Sequence, residues 1–479
     1  MLFPRCERIA ALGGAQLKPL RLQFVQTRAV PGFMDWYRKC SFGLDNANGG
    51  KYRMEEGRLV KYQVFQRLVS VKRHAIATSL LLCTAVALGF YLREYSMGFQ
   101  SIHIRDSHSH VSAGHWYVWR ADGHNTGRGK GMAVGCKRWE HIPGYPSSGV
   151  CSAAVVGSSG LAYVAVRGTS DYLYALDPSS GRERWATQID QFKQGTHRHN
   201  AAELDFCVSS PAVAADGTVY VGSDDGHLYA INGTTGRIDW TFDSGAEIIG
   251  SPNLDFDGTV YFGNQAGWLY AVDGKSGHCR WSRQVKGGLP ATPAVSSYGV
   301  VYFATSGGLL ALDATTGNVL WRFPRPAGRS FPVICEDGVV ITCCDGPEGN
   351  VVLVDGRSGK IRWTFSAGFE PTGPALARDG LVYVGTSHGQ VGKLYALEAM
   401  TGKEKWRFDR FVGNYPPSIA GNGDLYITVP PKLIALDGRT GRLKWRLDLQ
   451  LPTHVSSPTI GPDGTVYIGT GDGRLIAVR

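Results

Sequence analysis

The feature that most constrains this chain is a phrase that returns at a nearly fixed spacing. It reads "LYAINGTTGRIDW" at 228–240, and related versions end at Trp185, Trp240, Trp281, Trp321, Trp363, Trp406 and Trp445. Successive tryptophans of this set are 55, 41, 40, 42, 43 and 39 residues apart. A period of about 40 residues is the signature of a repeat architecture, so the fold is decided by the repeating unit.

Each repeat predicts a small antiparallel sheet. A second phrase, such as "SPAVAADGTVYVGS" at 210–223, precedes the first, and together they supply four short runs rich in Val, Ile, Tyr and Trp. Asp-Gly and Thr-Gly pairs between the runs are typical of tight turns, and no helical period is present. Both faces of the strand at 228–232 are largely apolar, which indicates a sheet that is covered on both sides. We therefore expect each repeat to form one blade of a β-propeller.

The number of repeats predicts a ring of eight blades. Residue pairs equivalent to Val219-Tyr220 occur eight times, but only seven closing tryptophans follow them. The last repeat lacks its fourth strand, whereas "GCKRWEH" at 135–141 places Trp139 ahead of the first repeat. Pairing of these two ends would complete the eighth sheet and cover its edge. The predicted fold is all-β, an eight-bladed β-propeller of four-stranded antiparallel blades over residues 116–479.

The repeats resemble the pyrroloquinoline-quinone (PQQ) repeat propellers, also called quinoprotein alcohol dehydrogenase-like propellers. The resemblance rests on the pattern Ala-apolar-Asp-x-x-Thr-Gly-x-x-x-Trp in the phrases above and on "WYVWRADGHNTGRG" at 116–129. The family includes quinone-dependent alcohol dehydrogenases, the outer-membrane barrel-assembly lipoprotein, which binds partners without catalysis, and the lumenal sensor domain of a kinase. The resemblance therefore implies the fold and leaves enzymatic and non-enzymatic functions open.

The enzymatic branch of the family implies a recognisable site. Its members hold a quinone and a calcium ion in the central funnel, with a catalytic Asp, metal-ligating Glu and Asn, and a disulfide between adjacent cysteines. The chain has one adjacent pair, Cys343-Cys344, but this pair aligns with the second strand of its repeat. No residue can be matched to the Asp, Glu or Asn. We therefore predict no catalytic, cofactor-binding or metal-binding residue and no cofactor.

Three other polar segments stand out from the repeats, and the second and third have alternative interpretations. The repeats are interrupted by one insertion, "QFKQGTHRHNAAELDFC" at 191–207. His103, His108, His110 and His115 lie in a segment that we interpret as a flexible stalk, with metal binding or a pH response as the alternative. The triplet Asn232-Gly233-Thr234 fits a glycosylation site and also fits a repeat turn.

The N-terminal part predicts a membrane anchor. Residues 75–92, "AIATSLLLCTAVALGFYL", form a run of 18 residues without a charge, which is long enough to cross most of a bilayer core. Lys and Arg before the run indicate a cytoplasmic N-terminus and a propeller on the lumenal or extracytoplasmic side. The predicted organisation is a basic tail (1–73), a single transmembrane signal anchor (74–93), a stalk (94–115) and the propeller (116–479).

The basic tail carries most of the net charge. Residues 1–73 contain 14 Lys or Arg and 5 Asp or Glu, whereas the whole chain has a formal net charge of +10. The propeller is thus nearly neutral, which argues against nucleic-acid binding. The tail fits a solvated cytoplasmic segment near anionic lipid, and residues 1–32 alternatively fit a mitochondrial presequence, which would place the protein in a mitochondrial membrane.

These observations predict a membrane-tethered, non-catalytic propeller scaffold that binds a protein or peptide partner through its rim loops. The alternative is a quinone-dependent oxidoreductase with PQQ and calcium. The two differ in whether carboxylate and amide groups converge in the central channel.

Overall fold

The computed structural model describes residues 133, 135–142, 150–168, 170–191, 209–286, 292–325, 331–335, 339–344, 349–368, 370–388, 391–409, 415–452 and 455–479. The predicted tail, anchor and stalk lie outside these residues. All regular structure in the described residues is β-strand. No helix there is long and apolar enough to cross a membrane.

The strands follow the repeats. The first half of the chain order comprises β1 (Lys137–His141), β2 (Val150–Cys151), β3 (Val155–Val156), β4 (Ala162–Arg167), β5 (Tyr172–Leu176), β6 (Glu183–Gln188), β7 (Ala212–Val213), β8 (Thr218–Gly222), β9 (His227–Asn232), β10 (Ile238–Asp243), β11 (Asn253–Leu254), β12 (Thr259–Gly263), β13 (Trp268–Asp273), β14 (Cys279–Gln284), β15 (Ala294–Val295), β16 (Val300–Thr305), β17 (Gly308–Asp313) and β18 (Val319–Phe323).

The second half comprises β19 (Val333–Ile334), β20 (Val339–Cys344), β21 (Asn350–Asp355), β22 (Ile361–Ser366), β23 (Glu370–Pro371), β24 (Ala375–Leu376), β25 (Leu381–His388), β26 (Val391–Glu398), β27 (Glu404–Phe408), β28 (Ser418–Ile419), β29 (Asp424–Val429), β30 (Lys432–Asp437), β31 (Leu443–Asp448), β32 (Thr459–Ile460), β33 (Val466–Gly469) and β34 (Leu475–Val478).

Hydrogen bonding groups these strands into eight antiparallel sheets. Seven sheets take their strands from one continuous segment each: β2–β6, β7–β10, β11–β14, β15–β18, β19–β22, β23–β27 and β28–β31. The remaining sheet, which we call the composite sheet, has the order β1-β34-β33-β32 and joins the two ends of the repeat region. The chain is therefore an all-β propeller built mainly of four-stranded blades.

Two sheets depart from the predicted four strands. In these sheets β2 and β3 both pair with β4, and β23 and β24 both pair with β25, so each sheet has five strands. A hydroxyl group bridges the gap in each split first strand: Ser152 Oγ accepts the N–H of Ala165 at 3.0 Å, and Thr372 Oγ1 accepts the N–H of Gly385 at 3.2 Å. The side chain replaces one bond of the backbone ladder at each break.

The contact between one sheet and the next, here called a seam, is built around one backbone carbonyl. In the seam between β2–β6 and β7–β10, the carbonyl oxygen of Gly233 accepts the Trp185 indole N–H at 3.0 Å and the Tyr163 hydroxyl at 3.0 Å. The two rings lie 5.8 Å apart. Trp240 and Tyr220 converge in the same way on Gly274, Trp281 and Tyr261 on Ala314, Trp321 and Tyr302 on Gly356, and Trp406 and Tyr383 on Gly438.

The turn between the third and fourth strands receives the tryptophan of the preceding sheet. Gly236 has φ +75°, and a Cβ atom there would lie 2.7 Å from the Trp185 ring. The glycine of each Thr-Gly or Ser-Gly pair therefore has two roles. It adopts the left-handed backbone conformation of the turn, and its lack of a side chain lets the indole pack directly on the backbone. This confirms the predicted role of the repeated tryptophan.

The composite sheet confirms the predicted pairing of the two chain ends. Trp139 of β1 is opposite Ala477 of β34, and its ring lies 5.8 Å from that of Tyr467. Its indole N–H donates to the carbonyl of Pro178 at 2.9 Å, in the sheet β2–β6. On the other side, Trp445 of β31 lies against Gly135, just before β1. The composite sheet thus contacts both the first and the last of the continuous sheets.

Candidate functional site

The first strands of neighbouring sheets are linked by side-chain hydroxyl groups. Ser210 Oγ accepts the N–H of Ala153 at 3.3 Å, Ser251 Oγ accepts that of Ser210 at 2.9 Å, and Thr292 Oγ1 accepts that of Ser251 at 3.2 Å. We call Ser210, Ser251 and Thr292 the hydroxyl belt. All three are buried. Because first strands contact first strands, the belt lies on the inner side of the ring and joins four sheets.

The equivalent residues of the other sheets do not continue the belt. They are Phe331, Gly373, Pro416 and Ser457. The Phe331 ring packs where a side chain of Gly373 would otherwise lie, since a Cβ atom there would be 2.1 Å from it. Pro416 has no N–H to donate, and the buried Ser457 Oγ has no hydrogen-bond partner in the described part of the chain.

The described residues of the inner ring, meaning the first-strand positions from Ser210 to Ser457, do not fit a quinone and calcium site. Calcium requires several oxygen ligands, mostly carboxylate and amide oxygens, at one point. The equivalent inner residues named above carry hydroxyl or apolar side chains or none. The nearby amide of Asn253 is engaged, because its Nδ2 donates to the carbonyl of Pro293 at 2.8 Å and its Oδ1 accepts the N–H of Leu254 at 2.8 Å. Within the described ranges no cluster of three or more His, Cys, Asp or Glu could hold a metal ion.

Buried charges are concentrated on one rim, formed by the turns between second and third strands and here called the 2–3 rim. Arg167, at the end of β4, forms an ion pair with Asp224 in the corresponding turn of the next sheet, and both side chains are more than nine-tenths buried. Burial lowers the pKa of the Arg167 guanidinium, while the carboxylates of Asp171 and Glu247 oppose that shift. Removing one partner of a buried ion pair leaves the other charge unpaired and strongly lowers the free energy of unfolding.

A second group on this rim holds the start of the insertion. The Asp225 carboxylate is fully buried and accepts hydrogen bonds from the Tyr229 hydroxyl and, at 2.9 Å, from the His227 N–H. The N–H of Gln191 donates to the Tyr229 hydroxyl at 3.2 Å. Burial, and then the bond to Asp225, raise the pKa of Tyr229. The residue that precedes segment 192–208 is thereby fixed to the neighbouring sheet.

The structure places the other predicted features as follows. Cys343-Cys344 lies at the end of β20, the second strand of its sheet, as expected. Asn232 is committed to its turn, since its Oδ1 accepts the N–H of Thr234 at 3.1 Å and of Thr235 at 3.0 Å. Cys136 and Cys279 are exposed free thiols. The four stalk histidines and most of the insertion lie outside the described residues.

The sequence did not predict the hydroxyl belt or the charged group on the 2–3 rim. Ser-Pro and Thr-Pro at 210–211, 251–252 and 292–293 were visible signals of the belt, because the same position carries a hydroxyl in three successive repeats. Arg167, Asp171 and Asp224 depart from the repeat pattern and gave no sign that they would meet.

Sheet order and seams together define the class of protein, an all-β propeller of repeated, mainly four-stranded sheets. A family model described as "outer membrane protein assembly factor BamB" matches residues 117–364 and 347–479. The chain belongs to that family. No curated protein matches the sequence.

Solved structures support the same fold. The quinohemoprotein alcohol dehydrogenase from Comamonas testosteroni has a TM-score of 0.60 at 15% identity, over 75% of this chain and 79% of that one. A europium-containing methanol dehydrogenase has a TM-score of 0.60 at 14% identity, over 75% of this chain and 90% of that one. BamB from Moraxella catarrhalis has a TM-score of 0.45 at 17% identity, over 57% of this chain and 96% of that one. Identities this low show the fold alone.

Proposed function

We propose that this protein is a membrane-tethered, non-catalytic scaffold whose propeller binds a protein or peptide partner at its rim. In this proposal residues 75–92 anchor the chain and the propeller lies on the lumenal or extracytoplasmic side. The observation that carries the proposal is the inner ring, where hydroxyl groups join neighbouring sheets and the seven equivalent positions from Ser210 to Ser457 carry no carboxylate. The side chains of the inner strands hold neighbouring sheets together, so we assign partner binding to the rims.

The 2–3 rim is the preferred rim for the partner. There the chain departs furthest from its repeat, through the insertion at 191–207, and the Gln191–Tyr229 hydrogen bond fixes the start of that insertion. A rigid base beneath a variable loop is the usual arrangement of a binding surface on a repeat scaffold.

The proposal also takes the composite sheet as the eighth blade of one closed ring. Support comes from the seams, since Trp139 reaches the sheet β2–β6 and Trp445 reaches the strand β1 end of the composite sheet. A closed ring keeps the rim loops in fixed relative positions, which a partner that contacts several blades requires.

The experiment combines proximity labelling with loop replacement. A labelling enzyme is fused to the C-terminus of the full chain in native membranes, and segment 192–208 is replaced by a short connection with the sequence of 244–251 from the next sheet. We expect a set of proteins labelled by the unaltered chain and lost from the replacement variant, with equal thermal stability of both. Identical labelling by both chains would contradict binding at this rim.

The oxidoreductase alternative is tested separately. Purified protein supplied with calcium and PQQ is assayed for dye-linked oxidation of primary alcohols. The scaffold proposal expects no turnover above a heat-denatured control, and turnover would overturn it. The dehydrogenase neighbours share the fold at 14–15% identity and give no residue-level support to this alternative.

A further inference from the structure

A groove of about 380 Å³ lies on the opposite rim, at the seam between the sheets β23–β27 and β28–β31. This rim is formed by the first-to-second and third-to-fourth turns, and we call it the 3–4 rim. The groove is lined by Asp379, Gly380, Leu381, Glu398, Lys405 and Arg439. Arg439 belongs to one sheet and the other residues to its neighbour, so the groove has a wall on each side of the seam.

At two other seams the equivalent position is closed by an arginine of the fourth strand, Arg280 and Arg138. In the sheet β11–β14, Arg280 contacts Asp257 of the first turn and also Asp273 at the end of the third strand, the latter at 2.8 Å. The facing turn of the next sheet carries the neutral Thr315. In the composite sheet, Arg138 likewise contacts Asp463 at 3.0 Å, and the facing residue is Ser179.

The groove differs from these closed seams at two positions. The fourth-strand residue is Lys405, whose ammonium lies 3.4 Å from Glu398 and makes no ion pair with Asp379. The facing residue is Arg439, which forms no ion pair with any described residue. Asp379 accepts only the N–H of Leu381, at 3.4 Å, among the described groups. A carboxylate and a guanidinium without ionic partners therefore line opposite sides of one groove.

We propose that this groove binds a peptide segment that carries an acidic and a basic side chain close together. The inference rests on the proposed function and assigns a second contact surface and its partner chemistry. Arg439, with Lys405 beside it, presents a planar donor group to a carboxylate, and Asp379, with Glu398, accepts from an ammonium or guanidinium. The volume is at the low end for ligand sites, which suits two side chains of an extended segment.

The repeat provides a variant with unchanged charge. Lys405→Arg restores the residue type found at Arg280, so its guanidinium would reach Glu398 and Asp379 together and close the groove. We expect this variant to bind the peptide at least about tenfold more weakly while its thermal stability stays equal or rises. A lysine-to-arginine change keeps the net charge, so a general electrostatic effect cannot produce this loss.

The probe is the labelled peptide acetyl-Gly-Glu-Gly-Lys-Gly-amide, titrated with the full chain in detergent and followed by fluorescence anisotropy. Asp379→Asn and Arg439→Gln are each expected to weaken binding about two- to fivefold, the value of one solvent-exposed charge pair. Asp257→Asn, at a closed seam, is the matched control and should leave the affinity unchanged. Higher salt should weaken binding to the unaltered chain, because the groove is open to solvent.

Two results would overturn the inference: undetectable binding at millimolar peptide, or equal binding by the unaltered chain, Asp379→Asn and Lys405→Arg. Proximity labelling separates this failure from that of the scaffold itself. If partners remain labelled by the Asp379→Asn/Arg439→Gln double variant, the groove is not the contact but the scaffold stands. If the unaltered chain labels no specific partner while the peptide binds as expected, the scaffold proposal fails and the groove stands.

Discussion

The seam of Trp139 at the composite sheet differs in one hydrogen bond from five of the six seams between continuous sheets. The exception is the seam of Trp363, whose indole bonds to Ala399 and where Ile341 stands at the tyrosine position. At the continuous seam of Trp185, the carbonyl of Gly233 accepts both the indole N–H and the Tyr163 hydroxyl. At the composite seam, Trp139 bonds to Pro178, but the buried Tyr467 hydroxyl has no partner among the described groups. The composite sheet is thus made of two separate chain segments and also has one hydrogen bond fewer at its seam.

The comparison shows that neighbouring sheets are joined by a few hydrogen bonds at each seam, and that the number of these bonds differs from seam to seam. The hydroxyl belt is also uneven, since it joins the four sheets from β2–β6 to β15–β18 and is absent both from the later continuous sheets and at Ser457 of the composite sheet. Closure relies instead on the indole of Trp139 and on charged pairs of β1. We expect the composite sheet to be the first part of the described ring to open.

The largest expected effect comes from removing the indole that closes the ring. Trp139→Ala removes a buried ring and Trp185→Ala a half-buried one, and each should lower the free energy of unfolding by about 3–5 kcal/mol, with Trp139→Ala at the upper end. Trp139→Ala should also raise hydrogen exchange selectively in β1 and β34, because β34 is the only described strand that pairs with β1. Urea unfolding with exchange mass spectrometry measures both. Equal, delocalised exchange in the two variants would contradict the comparison.

The next prediction compares Ser251 of the hydroxyl belt with Ser457, the equivalent residue of the composite sheet, which lies outside the belt. Ser251→Ala leaves the buried N–H of Ser210 without an acceptor and should cost about 1–3 kcal/mol. Ser457→Ala removes a buried hydroxyl that has no partner among the described groups and should be neutral or stabilising. Urea midpoints of the two variants give the answer, and a loss at Ser457 as large as that at Ser251 would show that the inner ring is uniform.

A smaller effect is expected at the tyrosines of the two seams. Tyr163→Phe removes the bond to Gly233 and should cost about 1 kcal/mol, the ordinary net value of a hydrogen bond. Tyr467→Phe removes a buried hydroxyl that no described group satisfies and should raise stability slightly. The matched pair changes one oxygen atom at equivalent positions. Thermal unfolding distinguishes them, and destabilisation by Tyr467→Phe would refute the unequal seams.

The smallest effect is the acid response of β1. Burial alone would raise the pKa of Glu140, but hydrogen bonds from Lys137 and from Arg474, at 2.9 Å, outweigh it and hold that pKa below its ordinary 4.5. A depressed pKa stabilises the fold above pH 4.5, and this contribution is lost as the pH falls through the folded value. Glu140→Gln should therefore lower the urea midpoint at pH 7 and change it little at pH 3. A difference independent of pH would contradict this.

Much of the fold could be predicted from the sequence because each repeat encodes its own sheet. The Asn232 turn, the Trp185 position and the pairing of Trp139 with the last strand all follow from local pattern and from the count of strands. The split first strands at Ser152 and Thr372 did not, since the equivalent hydroxyl bonds of Ser209 and Ser456 occur in sheets that have only four strands.

The candidate surfaces were harder to predict for a different reason. The belt, the Arg167–Asp224 pair and the groove at Asp379 and Arg439 all arise between sheets. A residue's partner across a seam lies tens of residues away and depends on how neighbouring sheets are rotated. Lys405 in place of arginine is a small change in the sequence. Its effect on the groove is recognised only when its contacts are compared with those of Arg280.

The composite sheet has a consequence for how the protein is made. Glu140 of β1 and Arg474, which precedes β34, are 334 residues apart in the chain. During translation the first strand emerges early and has to wait for its partners while the seven continuous sheets form behind it. Contacts this distant in sequence form slowly. The nascent propeller therefore passes through synthesis as an open arc, and a chaperone that shields β1 would protect it during that interval.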